Sequence, residues 1–502
     1  MPDERSPGGR PTPDAFTFAL RIDNDAAGDP IPRALRGQNL QWVDGGDDLL
    51  GDDGRPRPAM IDKVRALAPT ALRFPGGAQS DVYRWNDGVG PLPARRAGTH
   101  FHDGKPRASL MGTQEFLELC ETLDAEPMIT VNVVTGSAAE AAAWLRHVNV
   151  DRLRSRQTGR WLPRVPCWEI GNEPYLREGD RRHWLTPTEY VRRANAFIRA
   201  LRGVDPSIRI GVPLRTATLG GTPVTPMPEF AERVLAGVTE RFDFLSLHNA
   251  YLPYAHRGLS EPDVVYRATM AATATVERNL ADVRELVRRS TPNGTTASGR
   301  RLPFAITEYN GLFTLGAGDS DRLILAPVTA LYLADLLCML AGQADVESAY
   351  YWSLSGNWVF GALASDGHER PSYRVLELIA PALAGRRLPV RVDGPSFDAP
   401  RFGAVAAAPA TPLIRALASR DGDTLRLILL NKDPRRTARG DIHLARSRTA
   451  TVAHRTLRAG QPMRANDSSD ALDASESRSP RASGPVSIAL APASVTLMTW
   501  HA

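Results

Sequence analysis

The stretch CWEIGNEPYL (167–176) starts as a short apolar run and ends in Gly, Asn and Glu, which indicates a buried strand leading into a polar loop. Seven further runs of similar length occur along the chain, with segments of helical periodicity between them. One such segment opens at Thr186 with Pro187 in its first turn, a common start for a helix. The eight runs are GQNLQW (37–42), ALRFP (71–75), PMITVNV (127–133), CWEIGN (167–172), IRIGVP (208–213), DFLSLHN (243–249), PFAITE (303–308) and SAYYWSL (348–354).

This alternation of strands and helices predicts parallel strands joined by helical crossovers. A (β/α)8 TIM barrel is the most economical way to close eight such pairs. An open doubly wound sheet is the alternative, although no glycine-rich phosphate turn follows the first run. The predicted helices with clear bounds are Pro58–Leu67, Gly112–Leu123, Thr186–Gly203, Val264–Arg289, Ala326–Ala341 and Tyr373–Ala384.

The region after about residue 386 has a different pattern, with short strands at regular spacing between turn residues, and it predicts an additional all-β sandwich domain. FTFALRID (16–23) alternates like an antiparallel strand but has no partner nearby in sequence, so we expect it to join that sandwich. The expected division is a disordered leader at 1–13, an N-terminal strand at 14–32, the barrel at 33–385 and the C-terminal sandwich at 386–502, with a long mobile loop at 466–484.

The composition is that of a globular protein, with 42% apolar and 23% charged residues among 502, which excludes wholesale disorder and fibrous repeats. The net charge is +5, but only Lys63, Lys105 and Lys432 among the 61 basic residues are lysine. The bias toward arginine accounts for the net positive charge without requiring a surface that binds nucleic acid. No dense run of basic residues with interleaved aromatic residues appears in the sequence. We therefore expect no nucleic-acid partner.

Three cysteines, Cys120, Cys167 and Cys338, lie far apart in apolar segments, which is neither a disulfide framework nor a metal-ligand spacing. The histidines are scattered except for His100 and His102 in a polar loop, so we expect no metal site and no cofactor. The N-terminal segment lacks the apolar region of a signal peptide, and no apolar run reaches membrane length. The expected location is the cytoplasm, with no membrane partner.

Two carboxylates mark the candidate chemistry, because functional residues of a barrel lie at the C-terminal ends of its strands. Glu173 follows the fourth run and Glu308 ends the seventh. Glycoside cleavage needs one acid to protonate the leaving oxygen and one carboxylate at the anomeric carbon. The structural alternatives are a surface Glu closing a strand and a carboxylate at a helix N-terminus. Glu169, inside the fourth run, is expected to pair with a barrel arginine instead.

The segment RFPGGAQSDVYRWNDGVGP (73–91), together with WEIGNEP and ITEYN, resembles the α-L-arabinofuranosidases of glycoside hydrolase family 51 in clan A. The resemblance runs from about residue 16 to the C-terminus, and it implies the same order of strand, barrel and sandwich. It also implies that Glu173 is the acid/base and Glu308 the nucleophile. By the same resemblance, Asn172 hydrogen-bonds the 2-hydroxyl of the sugar, and Arg73 keeps the nucleophile ionised. A nearby arginine lowers a carboxyl pKa, and a neighbouring carboxylate raises it. A structural salt bridge is the alternative for Arg73.

Further substrate contacts are expected at the ends of the last strands. His248 ends the sixth run, where such enzymes carry a histidine, and Tyr251 follows it; a packed core histidine is the alternative. Trp352 on the eighth run fits either a sugar-stacking platform or a core aromatic residue. Asn357 and Trp358 in the next loop are additional candidates.

Two positions depart from the arabinofuranosidase pattern. Gln41 replaces a sugar-binding Glu of the first strand, and Ala78 replaces an Asn after the Pro-Gly-Gly turn. The predicted function is a retaining, exo-acting hydrolase of α-L-arabinofuranosides or related glycosides, with an oligosaccharide or polysaccharide substrate. A transglycosylase, a clan A enzyme for xylosides or D-arabinofuranosides, and a non-catalytic carbohydrate-binding relative stay open. So does the oligomeric state, a homo-oligomer included.

Overall fold

A computed structural model describes residues 14–501 of the chain, except for 177–182, 216–228, 253, 256–260, 291–301, 312, 315–317, 357, 466, 468–469 and 483. The predicted leader at 1–13 and the subsite candidate Asn357 therefore lie outside the described residues.

Eight parallel strands form a closed barrel, which confirms the predicted TIM fold. Each strand pairs with its neighbour in sequence order, and the sixth closes the ring by pairing Leu245 with Phe304 of the seventh. The first strand lies three residues earlier than predicted, so Gln41 follows its end rather than lying within it. The barrel strands are Ala34–Asn39, Ala71–Phe74, Glu126–Val131, Cys167–Ile170, Arg209–Leu214, Phe244–Leu247, Phe304–Asn310 and Val346–Tyr351.

Helices surround the barrel, and those predicted from sequence start and end within a few residues of the expected positions. Thr186 begins its helix with a capping box, in which its hydroxyl accepts from the Glu189 N–H at 3.2 Å and the Glu189 carboxylate accepts from the Thr186 N–H at 2.7 Å. The described α-helices of the barrel are Pro58–Ala66, Thr113–Leu123, Ala138–Leu145, Pro187–Val204, Phe230–Gly237, Pro262–Ser290, Pro327–Leu340 and Pro371–Ile379.

A four-stranded and a seven-stranded sheet make up the sandwich. The N-terminal strand Ala15–Ile22 lies in the first sheet, parallel to Thr437–Leu444 and antiparallel to Val390–Asp393, so the prediction that it joins the sandwich is confirmed. The exact domain bounds stay a prediction. In sheet order, the strands are Val390–Asp393, Ala15–Ile22, Thr437–Leu444 and Val486–Leu490, and then Asp29–Pro30, Arg386–Leu388, Ile414–Asp421, Thr424–Asn431, Ser494–His501, Ala450–Arg458 and Asp473–Ala482.

The prediction of a mobile loop at 466–484 is wrong for most of that segment. Asp473–Ala482 is an antiparallel edge strand, paired along its length with Ala450–Arg458. The side chains of residues 473–480 are mostly exposed, and the sequence DASESRSPRA carries no alternating apolar signal. The backbone of the neighbouring strand, rather than burial of its own side chains, holds it in the sheet.

A buried ion cluster lies between barrel and sandwich, and we call it the interface cluster. It consists of Asp335 on helix Pro327–Leu340 with Lys432 and Arg415 of the sandwich. Asp335 is fully buried, and its carboxylate lies 2.7 Å from Lys432 Nζ and 2.6 Å from Arg415 Nε. Elsewhere in the described chain, Cys120, Cys167 and Cys338 are buried and unbridged. None of the described helices is long and apolar enough to cross a membrane.

Candidate active site

Glu173 and Glu308 meet at the C-terminal mouth of the barrel, with His248 between them. His248 Nδ1 lies 2.8 Å from Glu173 Oε1 and 3.7 Å from Glu308 Oε2. Each of the three side chains offers an atom within 4.8 Å of the other two. Glu308 and His248 are buried, while Glu173 keeps 22% of its side chain exposed. The fold therefore brings together the two carboxylates that the sequence analysis paired.

Arg73, at the third position of the second strand, is the hub of this site and is fully buried. Its guanidinium contacts two carboxylates, Glu169 Oε2 at 2.7 Å and Glu308 Oε1 at 3.0 Å. It also donates to Asn39 Oδ1 at 2.9 Å and to Asn172 Oδ1 at 2.8 Å. Burial lowers the pKa of Arg73, but the carboxylates of Glu169 and Glu308 raise it overall, so the guanidinium stays charged.

The pKa of Glu308 is raised above its ordinary value, even though Arg73 acts to lower it. Burial raises it, and although His248 and Arg73 lower it, the nearby carboxylate of Glu173 raises it again. One physical reason is that Arg73 is shared: Glu169 already compensates much of its charge. The arginine favours the ionised carboxylate of Glu308, but it does not cancel the cost of burial.

Glu169 pairs with a barrel arginine as predicted, and that arginine is Arg73. Its Oε2 also accepts from Thr130 Oγ1 at 2.7 Å. Burial raises the pKa of Glu169, but Arg73 and His248 lower it below the ordinary value. Glu169 is thus a fixed negative charge that orients Arg73 from below the mouth.

Hydrogen bonds from neighbouring hydroxyl groups orient Glu308, Glu173 and His248. The Tyr251 hydroxyl donates to Glu308 Oε2 at 2.9 Å, and the Tyr175 hydroxyl donates to Glu173 Oε1 at 3.2 Å. The other ring nitrogen of His248, Nε2, lies 3.0 Å from Thr307 Oγ1. Burial lowers the pKa of His248, but Glu308 and Glu173 raise it overall, which favours a protonated imidazole between two carboxylates. Sequence reasoning singled out His248 and Tyr251 but missed Tyr175 and Thr307.

Asn39 is another residue that the sequence analysis missed. Besides accepting from Arg73, its amide donates to the backbone oxygen of Thr307 at 2.8 Å, next to Glu308. The side chain thus joins the first strand to the seventh at the level of the nucleophile candidate. The available signal was a polar residue at the C-terminal end of a barrel strand.

Gln41 is buried beside the mouth, and a tight turn fixes its side chain. Its Nε2 donates to Asp47 Oδ1 at 3.3 Å, and its backbone N–H donates to Asp47 Oδ2 at 3.1 Å. Residues 44–48 all have positive φ, including the non-glycine residues Asp44, Asp47 and Asp48. Burial raises the pKa of Asp47, and Asp44 and Asp48 raise it further against the hydrogen bonds from Gln41. With Nε2 engaged, Gln41 has its Oε1 as acceptor for a ligand.

Trp352 follows the eighth strand and lies against the Pro-Gly-Gly turn. A Cβ at Gly77 would lie 2.2 Å from Trp352 Cη2, so only glycine fits beneath the indole. Gly76 and Gly77 also have positive φ. Trp352 exposes only 9% of its surface, whereas Trp358 in the following loop exposes 60%. Ala78, directly after the turn, is half-buried.

The residues with metal-ligating groups in reach of one another are again Glu173, His248 and Glu308. The 2.8 Å hydrogen bond between His248 and Glu173 and the raised pKa of His248 fit a proton-linked cluster, because a protonated imidazole has no lone pair left for a metal. The arrangement offers an acid, a carboxylate nucleophile and a buried cation, which together suit acid-assisted displacement at a carbon centre.

Comparison with known proteins finds similarity to α-L-arabinofuranosidases. A family model described as the α-L-arabinofuranosidase 1 domain matches residues 63–227. α-L-Arabinofuranosidase C of Emericella nidulans is 34% identical over 171 residues, which are 32% of this chain and 33% of that protein. The intracellular exo-α-(1→5)-L-arabinofuranosidase of Streptomyces lividans is 25% identical over 388 residues, 72% of this chain and 55% of that protein. The matched region thus spans about a third to a half of these relatives.

The solved structure of the thermostable family 51 α-L-arabinofuranosidase from Thermotoga petrophila is similar over 96% of this chain and 99% of that chain. The TM-score is 0.77 at 22% sequence identity, which shows the shared fold of barrel and sandwich. The sequence matches support a relationship to these enzymes, which similarity of fold alone does not establish. This chain is therefore similar to α-L-arabinofuranosidases in sequence over about a third of its length, and to a family 51 structure in fold over almost all of it.

Proposed function

We propose that this protein is a retaining, exo-acting glycoside hydrolase that cleaves α-L-arabinofuranosides or related glycosides. The supporting observation is the spacing of the two carboxylates, which bring oxygen atoms within 4.8 Å of each other. Carboxyl groups about 5–5.5 Å apart are typical of retaining enzymes, and a separation of about 6.5–9.5 Å is typical of inverting ones. The names of the relatives support the arabinofuranoside and the exo mode.

The first chemical step forms a glycosyl-enzyme. A carboxylate oxygen of Glu308 attacks the anomeric carbon, while Glu173 gives its proton to the glycosidic oxygen. The C–O bond to the leaving group breaks, the leaving group departs as an alcohol, and an ester joins the sugar to Glu308. Glu173 is left as a carboxylate.

The second step reverses the roles of proton donor and acceptor. Glu173 takes a proton from water as the water oxygen attacks the anomeric carbon. The ester bond breaks, the free sugar leaves with its original anomeric configuration, and Glu308 is again a carboxylate. Two inversions at the same carbon account for retention.

The surrounding groups set the charge of Glu308 for these steps. Arg73 holds one carboxylate oxygen and Tyr251 the other, at 3.0 and 2.9 Å, and both favour the ionised nucleophile. When the ester forms, this negative charge disappears, and Glu169 still balances Arg73. His248, hydrogen-bonded to Glu173, is a positioning residue for the acid/base.

The glycone site is proposed to involve Asn172, Trp352 and Gln41. The Oδ1 of Asn172 accepts a hydrogen bond from Arg73, so its NH₂ group is the part of the side chain proposed to donate to a sugar hydroxyl. Gln41 can accept a hydroxyl hydrogen bond but carries no charge, and Ala78 offers no side-chain hydrogen bond. These two positions are the reason that a xyloside or a D-arabinofuranoside stays within the proposed range. The proposed location is the cytoplasm, in line with the relative named intracellular.

The test is a screen of purified protein on aryl glycosides and oligosaccharides, with the product anomer followed by NMR. We expect turnover of an α-L-arabinofuranoside with retention, and its loss in Glu308→Ala. Glu285→Ala, on an exposed helical surface, is the matched control and should keep full activity.

Three outcomes would overturn parts of the proposal. An inverted first product excludes the double displacement. Transfer to sugar acceptors in preference to water identifies a transglycosylase. Oligosaccharide binding without turnover of any glycoside identifies a non-catalytic relative.

A further inference from the structure

Trp358 lies in the loop after the eighth strand and exposes 60% of its surface. In the described part of the chain, three other large apolar residues are exposed, namely Val89 at 38%, Val150 at 49% and Trp161 at 52%. A tryptophan left in water gives up the large stabilisation that burial of its indole would provide. An exposed indole at a barrel mouth therefore indicates a place where a ligand binds.

The backbone at Trp358 is also unusual. Its φ is +54°, in the left-handed region that residues other than Gly and Asn rarely adopt. Residues kept in such conformations concentrate at binding and catalytic sites. The exposed side chain and the unfavourable backbone are two separate observations on the same residue.

The loop that carries Trp358 is anchored next to the nucleophile strand. Asn310, two residues after Glu308, donates to the backbone oxygen of Trp352 at 2.5 Å and to that of Phe360 at 3.5 Å. The Tyr351 hydroxyl also donates to the Phe360 oxygen, at 3.2 Å. Both ends of the loop are thus fixed to the strands at the mouth.

The side of the loop opposite Trp358 is packed. Val359 is buried against Ile324 and Leu325 of the segment that follows the seventh strand, and Phe360 packs on the same cluster. The ring of Phe360 lies edge-on to the Trp358 indole at 5.9 Å. A fixed loop that presents one indole outward is suited to a ligand with an apolar face.

We propose that Trp358 is a stacking platform for a sugar unit of the aglycone, the part of the glycan that leaves with the proton from Glu173. This inference rests on the proposed glycosidase function. The C–H face of a sugar ring is apolar, and an indole offers it a large, rigid surface. Trp352 and Asn172, proposed for the glycone, are nearly fully buried, whereas Trp358, in the loop after the eighth strand, is accessible to an outer sugar unit of the substrate.

Trp161 provides a matched control within the same chain. It is almost as exposed, but it precedes the fourth strand and so lies near the N-terminal end of the barrel, away from the catalytic mouth. Its indole already has a partner, because the Arg154 guanidinium lies 3.8 Å from the ring centroid. Removal of Trp161 should therefore leave substrate recognition unchanged.

The experiment compares two substrates with the same glycone. One is a glycosyl fluoride, whose leaving group has no ring, and the other is an oligosaccharide, whose leaving group is a sugar. For Trp358→Ala we expect kcat/KM on the oligosaccharide to fall about tenfold or more, with a change below about twofold on the fluoride. Trp161→Ala should change neither value.

A second variant separates the ring from the loop shape. Trp358→Asn removes the indole but tolerates positive φ, so it should reproduce the selective loss without disturbing the loop. Equal losses on both substrates, or no loss on the oligosaccharide, would overturn the inference. If the wild-type protein turns over neither substrate, the proposed function fails. In that case, oligosaccharide affinity in wild type and Trp358→Ala, measured by calorimetry, still decides the role of Trp358.

Discussion

The barrel mouth and the interface cluster both bury charged side chains, but in opposite proportions. At the interface, one carboxylate, Asp335, faces two cations, Lys432 and Arg415. At the mouth, Arg73 is shared by two carboxylates, Glu169 and Glu308. Both sites are nearly fully buried, but the ratio of carboxylates to cations differs between them.

The carboxyl pKa values of Asp335 and Glu308 differ in the direction of that ratio, although the pKa of Glu169, which shares Arg73 with Glu308, is lowered. Burial raises the pKa of Asp335, but Arg415 and Lys432 lower it to about 2, so this group stays ionised at any ordinary pH. For Glu308 the burial cost is incompletely offset, and its pKa is raised. An excess of cations gives a permanent structural charge, whereas an excess of carboxylates gives a group that can gain a proton or form an ester. We infer that the charge arrangement at the mouth lowers the stability of the fold and favours the reactivity of Glu308.

The largest expected effect comes from Glu308→Gln. We expect kcat/KM to fall by about 10⁴-fold or more, because the proposed nucleophile is lost. A carboxyl with a raised folded pKa favours folding when protonated and opposes it as the pH rises through the folded pKa, so the neutral amide should not destabilise the protein at pH 7. Urea unfolding measures this.

Glu169→Gln is the comparison variant for that measurement. The pKa of Glu169 is lowered, so its charge stabilises the fold at neutral pH, and its loss should reduce the urea midpoint. If Glu308→Gln destabilised the protein as much as Glu169→Gln, the proposed difference between the two carboxylates would be wrong.

Asp335→Asn should have the next largest effect, this time on stability. It leaves Lys432 and Arg415 buried without a counter-charge, and we expect a loss of about 3–5 kcal/mol in the free energy of unfolding. The folded-state pKa of Asp335 is depressed, so its contribution should persist at pH 4 and disappear only as the pH falls toward about 2. The kcat/KM of the folded variant should stay at the wild-type value.

Glu285→Gln serves as the control, because the exposed pair of Glu285 with Arg288 should contribute less than about 1 kcal/mol. An interface variant no less stable than this control would show that the interface cluster is not a structural charge.

Tyr251→Phe tests the balance at the mouth through pH dependence. It removes a donor to the carboxylate of Glu308, so the pKa of Glu308 should rise further. Activity needs Glu308 ionised, and the acid limb of the kcat/KM profile should therefore move to higher pH.

Tyr332→Phe is the matched control, since the Tyr332 hydroxyl donates to the backbone oxygen of Ala250 and not to a carboxylate. A Tyr251→Phe profile with its acid limb unmoved or at lower pH would contradict the assigned role.

The smallest effect is expected at Gln41, where the aim is to restore the arabinofuranosidase residue. Gln41→Glu alone would place a second carboxylate beside Asp47, which now accepts from Gln41 Nε2 at 3.3 Å. We therefore expect a gain of a few-fold in arabinofuranosidase kcat/KM only when Gln41→Glu is combined with Asp47→Asn and Ala78→Asn. Gln41→Glu by itself is the control and should show no gain. No improvement in the triple variant would mean that these positions do not contact the sugar.

Much of the fold was predictable from sequence, because alternating short apolar runs and amphipathic helices are patterns of near neighbours along the chain. The same reasoning placed Glu173 and Glu308 at strand ends and therefore at one mouth. It failed for Asp473–Ala482, a polar edge strand whose only support is the backbone of its neighbour. A strand without a buried face leaves no alternating pattern to read.

The sequence by itself thus determined the barrel, the sandwich and the pair of carboxylates with Arg73 nearby. Only the tertiary structure decided that Arg73 serves Glu169 as well as Glu308, that Asp47 engages Gln41, and that Trp358 stays exposed. The physical reason is that pairing, burial and pKa depend on groups brought together from distant parts of the chain. Arg73 is separated by 96 positions from Glu169 and by 235 from Glu308, so no local pattern of the sequence signals those contacts.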